Sequence, residues 1–126
     1  MEITMSGLKV FKRDKITVER GSTADGHVEF QRAVGPETTN SELGGGMGFA
    51  EDTSFDWTLT YDEIVFVVEG TLRLTTDDET VEAKAGDIVW IPERTQLRYE
   101  FIGPTRVFYA VHPASKIPWE NLLDGA

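Results

Sequence analysis

Few side chains in this 126-residue sequence can do chemistry, and their types narrow the options at once. There is no cysteine, so thiolate nucleophiles, thiolate metal ligands and disulfides are excluded. The only two histidines are His27 and His112, so a three-imidazole metal centre cannot form within one chain. A Ser-His-Asp triad likewise finds no supporting context. The remaining metal arrangement combines Glu63 and His112 with Asp56 or Asp62, and the expectation is that no metal or other cofactor is used. His112 ends the strand-like run Val107–Val111 just before Pro113, where alternation aims it either into the interior or away from it. His27 follows the turn-like Asp25-Gly26 and reads as a surface residue. What is left is a carboxylate with phenols and indoles. Tyr61 and Tyr109 can hydrogen-bond a ligand or pack as ordinary strand residues with a polar tip. Trp57 can wall a ligand, face an ammonium or fill a core.

These groups must be positioned by strands. Short β-type runs alternate with turn residues along the chain, which argues for an all-β barrel or sandwich. The runs are Lys9–Phe11, Ile16–Glu19, His27–Val34, Met47–Glu51, Asp56–Thr60, Glu63–Glu69, Leu72–Thr76, Glu79–Lys84, Asp87–Ile91, Leu97–Phe101 and Val107–Val111. Glu69-Gly70 and Asp77-Asp78 read as tight turns. Ile64–Val68 is apolar on both faces, which asks for a barrel interior on one side and a second covered surface on the other. That second surface suggests a homodimer. Residues 1–35 are too polar for a core of their own and are expected to add edge strands or wrap a partner. Pro118–Leu123 reads as one short helix with proline in its first turn.

Composition bounds the partners. The net charge of −10 disfavours nucleic acid and anionic lipid, leaving a small-molecule ligand or substrate. No apolar run approaches twenty residues, so no membrane span is expected. Met1–Ser6 lacks the basic and apolar regions of a secretory leader, and the cytoplasm is the expected setting. The glycine-rich Gly44-Gly45-Gly46-Met47-Gly48 lacks the Lys-Ser/Thr ending of a phosphate loop, and no helix pattern follows it. Close backbone packing at a barrel mouth, or a mobile lid, explains it better.

The frame around Glu63 resembles the two signature motifs of the cupin family. Six residues, Ile64–Glu69, separate Glu63 from Gly70, and five, Asp87–Ile91, separate Gly86 from Pro92. Both spacings are those of the motifs. The resemblance implies a double-stranded β-helix, the jelly-roll barrel, as one domain over residues 1–126 with its core at about 40–113. The histidines of the first motif fall on Trp57 and Leu59, or on Asp56 and Thr58, and that of the second on Leu97. Of the usual metal set only Glu63 survives. Thr53–Glu63, with the glycine-rich stretch and Ala83-Lys84-Ala85-Gly86-Asp87, further resembles the cupin domain of the ethanolamine-utilisation Q proteins. Those are associated with microcompartment amino-alcohol metabolism, and an acetate kinase activity has been ascribed to them.

In that frame Glu63 points inward among Trp57, Leu59 and Leu97. Desolvation then raises its pKa and makes it a candidate acid or base, assisted by Tyr61 and Tyr109. Alternatively Arg98, Tyr99 or Tyr109, on strands bordering the barrel, pairs with it structurally. The expected ligand-binding set is Trp57, Leu59, Leu97, Arg98, Tyr99 and His112. Three readings follow: a metal-free small-molecule enzyme or auxiliary, a non-catalytic binding or sensing module, and a scaffold with a self-filled barrel.

Overall fold

The computed structural model describes residues 7–125. Seven strands carry the fold: β1 (Glu19–Ser22), β2 (His27–Val34), β3 (Gly44–Thr58), β4 (Asp62–Thr75), β5 (Thr80–Lys84), β6 (Ile88–Ile91) and β7 (Gln96–His112). All pairings are antiparallel, in the order β1-β2-β3-β7-β4-β5, with β6 on the other side of β4's first half. The all-β jelly roll with N-terminal edge strands is therefore present.

Three strands are longer than the sequence suggests. Met47–Glu51 and Asp56–Thr60 fuse into β3, Glu63–Glu69 and Leu72–Thr76 into β4, and Leu97–Phe101 and Val107–Val111 into β7. The separating residues are bulges rather than turns. Register shifts fall between Glu51 and Thr53, and between Val67 and Thr71 by way of Glu69. Asp52 (φ 51°), Gly70 (φ 89°) and Gly103 (φ 64°) take left-handed conformations there. Asp52 Oδ1 accepts the Gly103 amide hydrogen bond at 2.7 Å and locks two bulges together. At Gly70 a Cβ would lie 2.3 Å from the Pro104 carbonyl oxygen, so only glycine lets β4 bend against β7. Glu69-Gly70 is thus a fold line within β4, whereas Asp77-Asp78 is a true hairpin closed by Thr76 N–H to Glu79 O at 2.9 Å.

Each long strand serves two layers. The first halves of β3 and β4 and the second half of β7 pair with one another and with β2 and β6. The complementary halves pair with one another and with β5. The core lies between these layers. On β4, Glu63, Val65 and Val67 point inward, while Ile64, Phe66 and Val68 point outward.

The ends differ from expectation. Lys9–Phe11 is not a strand, and β1 starts at Glu19 rather than Ile16, because residues 13–15 turn in a 3-10 coil. The expected C-terminal helix is a single 3-10 turn, Trp119–Asn121, preceded by another at Ala114–Lys116. Pro118 supplies the break before it. Asp124 accepts from Ser22 N–H (3.0 Å) and Ser22 Oγ (2.7 Å), tying the tail to β1. A one-turn helix, α1 (Pro36–Thr39), joins β2 to β3.

Candidate functional site

The chain's three tyrosines, Tyr61, Tyr99 and Tyr109, are all buried in the barrel with Glu63. The strand register explains this. Glu63 opposes Val111 on β7 and Ile91 on β6, and Tyr109 opposes Val65 one inward step along β4. Tyr99 opposes Phe55 on β3 and Leu74 on β4. Glu63, Tyr99 and Tyr109 occupy inward positions of long strands, so alternation directs them to one interior, and Tyr61 enters it from the bend between β3 and β4.

Tyr99 Oη donates to Glu63 Oε1 at 2.6 Å. Phe55 stacks on Tyr99 with centroids 5.0 Å apart and planes 17° from parallel, which fixes the phenol's direction. Trp57 Nε1–H donates to Tyr61 Oη at 2.9 Å, so indole and phenol hold each other. Among the described residues no arginine, lysine or histidine is paired with Glu63. Burial without a cation pushes the Glu63 carboxyl up to about 7, against the opposing pull of the Tyr99 hydrogen bond. Burial also pushes all three phenols above their ordinary value; the charge of Glu63 adds to this. They therefore remain neutral hydrogen-bond donors across the ordinary pH range.

Beside this cluster lies an internal cavity of about 60 Å³. Glu63, Tyr99, Tyr109, Trp57 and the rings of Phe30, Phe55 and Phe101 line it, with aliphatic residues between them. At roughly 10–15 Å³ per water-sized position, it holds about four to six heavy atoms. The barrel is neither solidly filled nor wide open.

The expected site residues separate into three groups. Glu63, Trp57, Tyr99 and Tyr109 line the cavity, with Tyr61 behind Trp57. Leu59 and Leu97 are buried but pack away from it, as core. Arg98 and His112 do not join them. Arg98 projects outward, its Nε 3.1 Å from Asp56 Oδ1, because it alternates with the inward Leu97 and Tyr99. His112 is exposed because its neighbour Val111 takes the inward position, so it cannot reach a ligand held by Glu63. Among the described residues no three His, Cys, Asp or Glu side chains cluster as a metal site requires. Phe30, Phe55 and Phe101 are aromatic lining residues that sequence reasoning missed. Phe55 shares the odd-numbered face of β3 with Trp57, so its alternation was the available signal.

The glycine-rich stretch is buried strand, not a lid. A Cβ on Gly46 would lie 2.7 Å from Tyr109 Oη and 2.3 Å from the Gln31 carbonyl oxygen, and one on Gly44 would lie 2.8 Å from Ala114 Cβ. The glycines admit Tyr109 to the barrel wall.

Comparisons with known proteins agree with this architecture. The model of the family described as "Ethanolamine utilisation protein EutQ" matches residues 3–120, well beyond the 40–113 stretch that carries the sequence resemblance. A protein of Clostridioides difficile named "Acetate kinase EutQ" is 31% identical over 112 residues, covering 89% of this chain and 69% of that protein. One of the same name from Salmonella typhimurium is 30% identical over 116 residues, covering 92% of this chain but 49% of its own length. The solved Clostridium difficile EutQ structure superposes with a TM-score of 0.76 at 31% identity, over 88% of this chain and 91% of that one. An RmlC-like cupin of Shewanella frigidimarina, 16% identical, shares the fold with a TM-score of 0.68 over 84% of this chain and 91% of its own. With the barrel, its motif frame and a family match over nearly the whole length, the chain belongs to the ethanolamine utilisation protein EutQ family.

Proposed function

We propose that the chain is a small-molecule metabolic enzyme or auxiliary of the EutQ type, with Glu63 handling a proton or hydrogen bond on a substrate of about acetate size. The observation that carries this is the Glu63 carboxyl, uncompensated by any paired cation among the described residues and facing a cavity of about 60 Å³. A carboxyl titrating near neutrality exchanges protons readily at the pH of a cell. In its neutral form it donates a hydrogen bond to a carboxylate or carbonyl; in its ionised form it accepts a proton. Tyr99 Oη steadies the ionised form.

The name of the relatives supports a carboxylate as the molecule held. An acetate has four heavy atoms and suits the cavity, whereas a nucleotide is several times too large for it. A phosphoryl donor would have to act from outside the barrel. The chain spans 69% and 49% of those two relatives, so their whole activity is carried here as part of the proposal. Calorimetric titration of acetate into wild type and Glu63→Gln tests it: saturable binding that the variant loses supports the reading. Equal binding by both, or none by either, overturns it.

A second observation favours a homodimer. Ile64, Phe66 and Val68 on β4 leave their outward faces exposed, beside Ile88 and Trp90 on β6 and Phe108 on β7. A contiguous apolar face of this kind marks an interaction surface, and a second copy of the chain offers a matching one.

A further inference from the structure

A second, larger space lies at one end of the barrel, against the inward-facing Tyr109 and Val111. It is a groove of about 730 Å³ between residues 10–19, α1, the start of β3 and the C-terminal 3-10 turns. Its size is that of a ligand pocket. The register brings two of its polar side chains together. Arg32 on β2 opposes Gly46 on β3, and Gly46 opposes Tyr109 on β7. Cross-strand neighbours share a face, and the middle residue has no side chain, so the Tyr109 hydroxyl takes its place, 2.7 Å from where a Gly46 Cβ would lie, on the face that Arg32 shares. Tyr109 belongs to both spaces: its ring lines the internal cavity and also the groove.

Arg32 is held in place. Glu19 takes its Nε at 2.6 Å and its Nη2 at 2.7 Å, and its guanidinium lies 4.8 Å from the centre of the Trp119 ring. This side-on pairing leaves Nη1 without a hydrogen bond among the described residues. Trp119 in turn packs edge-on against Phe30 at 5.4 Å and tilted against Tyr109 at 6.2 Å. Trp119, Ile117, Val111 and Val34 give the groove an apolar wall. Lys12 and Lys15 line it too, and neither ammonium has a carboxylate partner among the described residues. Its cations outnumber its carboxylates, three to the two of Glu19 and Glu37, on a chain whose net charge is −10.

We propose that this groove binds a small anion, a carboxylate or a phosphate monoester, carried on a flat apolar body, with Arg32 as its anchor. The free Nη1 meets the anion; Lys12 and Lys15 add attraction from the rim; the body lies along Trp119 and the aliphatic wall. A guanidinium already fixed by a carboxylate and an indole loses little freedom on binding, which favours it over a mobile lysine as anchor. Such a ligand is too large for the cavity beside Glu63, so the site is separate from that of the proposed function, although Tyr109 touches both.

The test is an amide-shift titration of the full chain with benzoate and with phenyl phosphate, using benzyl alcohol and benzylamine as neutral and cationic counterparts. The expected result is saturable shifts centred on Arg32, Gly44–Gly46 and the Trp119 indole. Whichever anion binds tighter identifies the head group. The neutral and cationic counterparts bind roughly tenfold or more weakly, the loss of one charge-assisted hydrogen bond. Arg32→Gln weakens the anion by a similar factor. Because that change also breaks the Glu19 pair, Lys12→Gln/Lys15→Gln serves as a second variant that disrupts no ion pair, and it weakens binding about threefold. Glu63→Gln leaves groove binding unchanged, which separates this site from the proposed one. Shifts centred elsewhere, equal binding of benzyl alcohol, no saturable binding, or a groove covered by a second copy of the chain would overturn the inference.

Discussion

Tyr99 Oη donates a 2.6 Å hydrogen bond to Glu63 Oε1 in the middle of the barrel, and it is the only hydrogen bond or ion pair that the Glu63 side chain makes among the described residues. Around it stand Trp57, Phe55 and Phe101, apolar rings rather than charged partners. A carboxylate left in such a place is stabilised by one phenol and penalised by burial, and burial prevails. Most of the site's chemistry follows from that imbalance.

Stability should depend on pH through Glu63 with an inverted sign. Its folded value, about 7, lies above the ordinary 4.5, so the folded state binds the proton more tightly. The stabilisation is complete below about pH 4.5, falls as pH rises to about 7, and is flat above. The shift corresponds to about 3 kcal/mol. Asp25 and Asp124, pulled below their ordinary value by hydrogen bonds, slope the other way. The check is therefore a difference: urea unfolding of wild type minus Glu63→Gln, measured from pH 4 to 8. Glu63→Gln should gain relative stability across that window.

Tyr99→Phe removes the donor that favours the ionised form. The midpoint of the same difference curve should then move upward by about one to two pH units. An unchanged midpoint would mean that the hydrogen bond does not tune the carboxyl.

Acetate binding should share this dependence. If neutral Glu63 donates to the ligand, the dissociation constant is level below about pH 7 and rises about tenfold per unit above it. Calorimetry at four pH values separates this from a binding mode indifferent to Glu63.

Gly46→Ala places a methyl group against Gln31 O and Tyr109 Oη. Destabilisation of about 1–3 kcal/mol is expected in denaturant unfolding, with altered tyrosine near-ultraviolet dichroism as Tyr109 is displaced.

Ile88→Lys/Trp90→Lys places charges on the exposed apolar face of β6 without touching the barrel interior. Sedimentation should show a wild-type dimer and a monomeric variant of unchanged thermal stability per chain.

The fold was largely legible because its signals are local. Alternation along each run was enough for an all-β barrel or sandwich, and the resemblance of the Glu63–Gly70 and Gly86–Pro92 spacings to the cupin motifs implied the jelly roll. What escaped were the fold lines. Glu69-Gly70 looks like a hairpin turn, yet its glycine is needed because Pro104 and Thr105, more than thirty residues away, approach it closely. No local pattern carries that. At the site, the cupin frame aimed Glu63 inward beside Trp57, whereas alternation sends Arg98 outward because its neighbours Leu97 and Tyr99 take the interior. The Arg32–Gly46–Tyr109 row depends on pairing between three distant strands and was not readable without them.

The most direct test of the account is the titration of the Glu63 side-chain carboxyl carbon by NMR, identified by its absence in Glu63→Gln. A midpoint near 7 is the expected result, and it would establish a buried, uncompensated carboxyl poised at neutral pH. A midpoint near 4.5 would contradict it, showing that solvent or an unseen partner stabilises the charge and that Glu63 holds no special role.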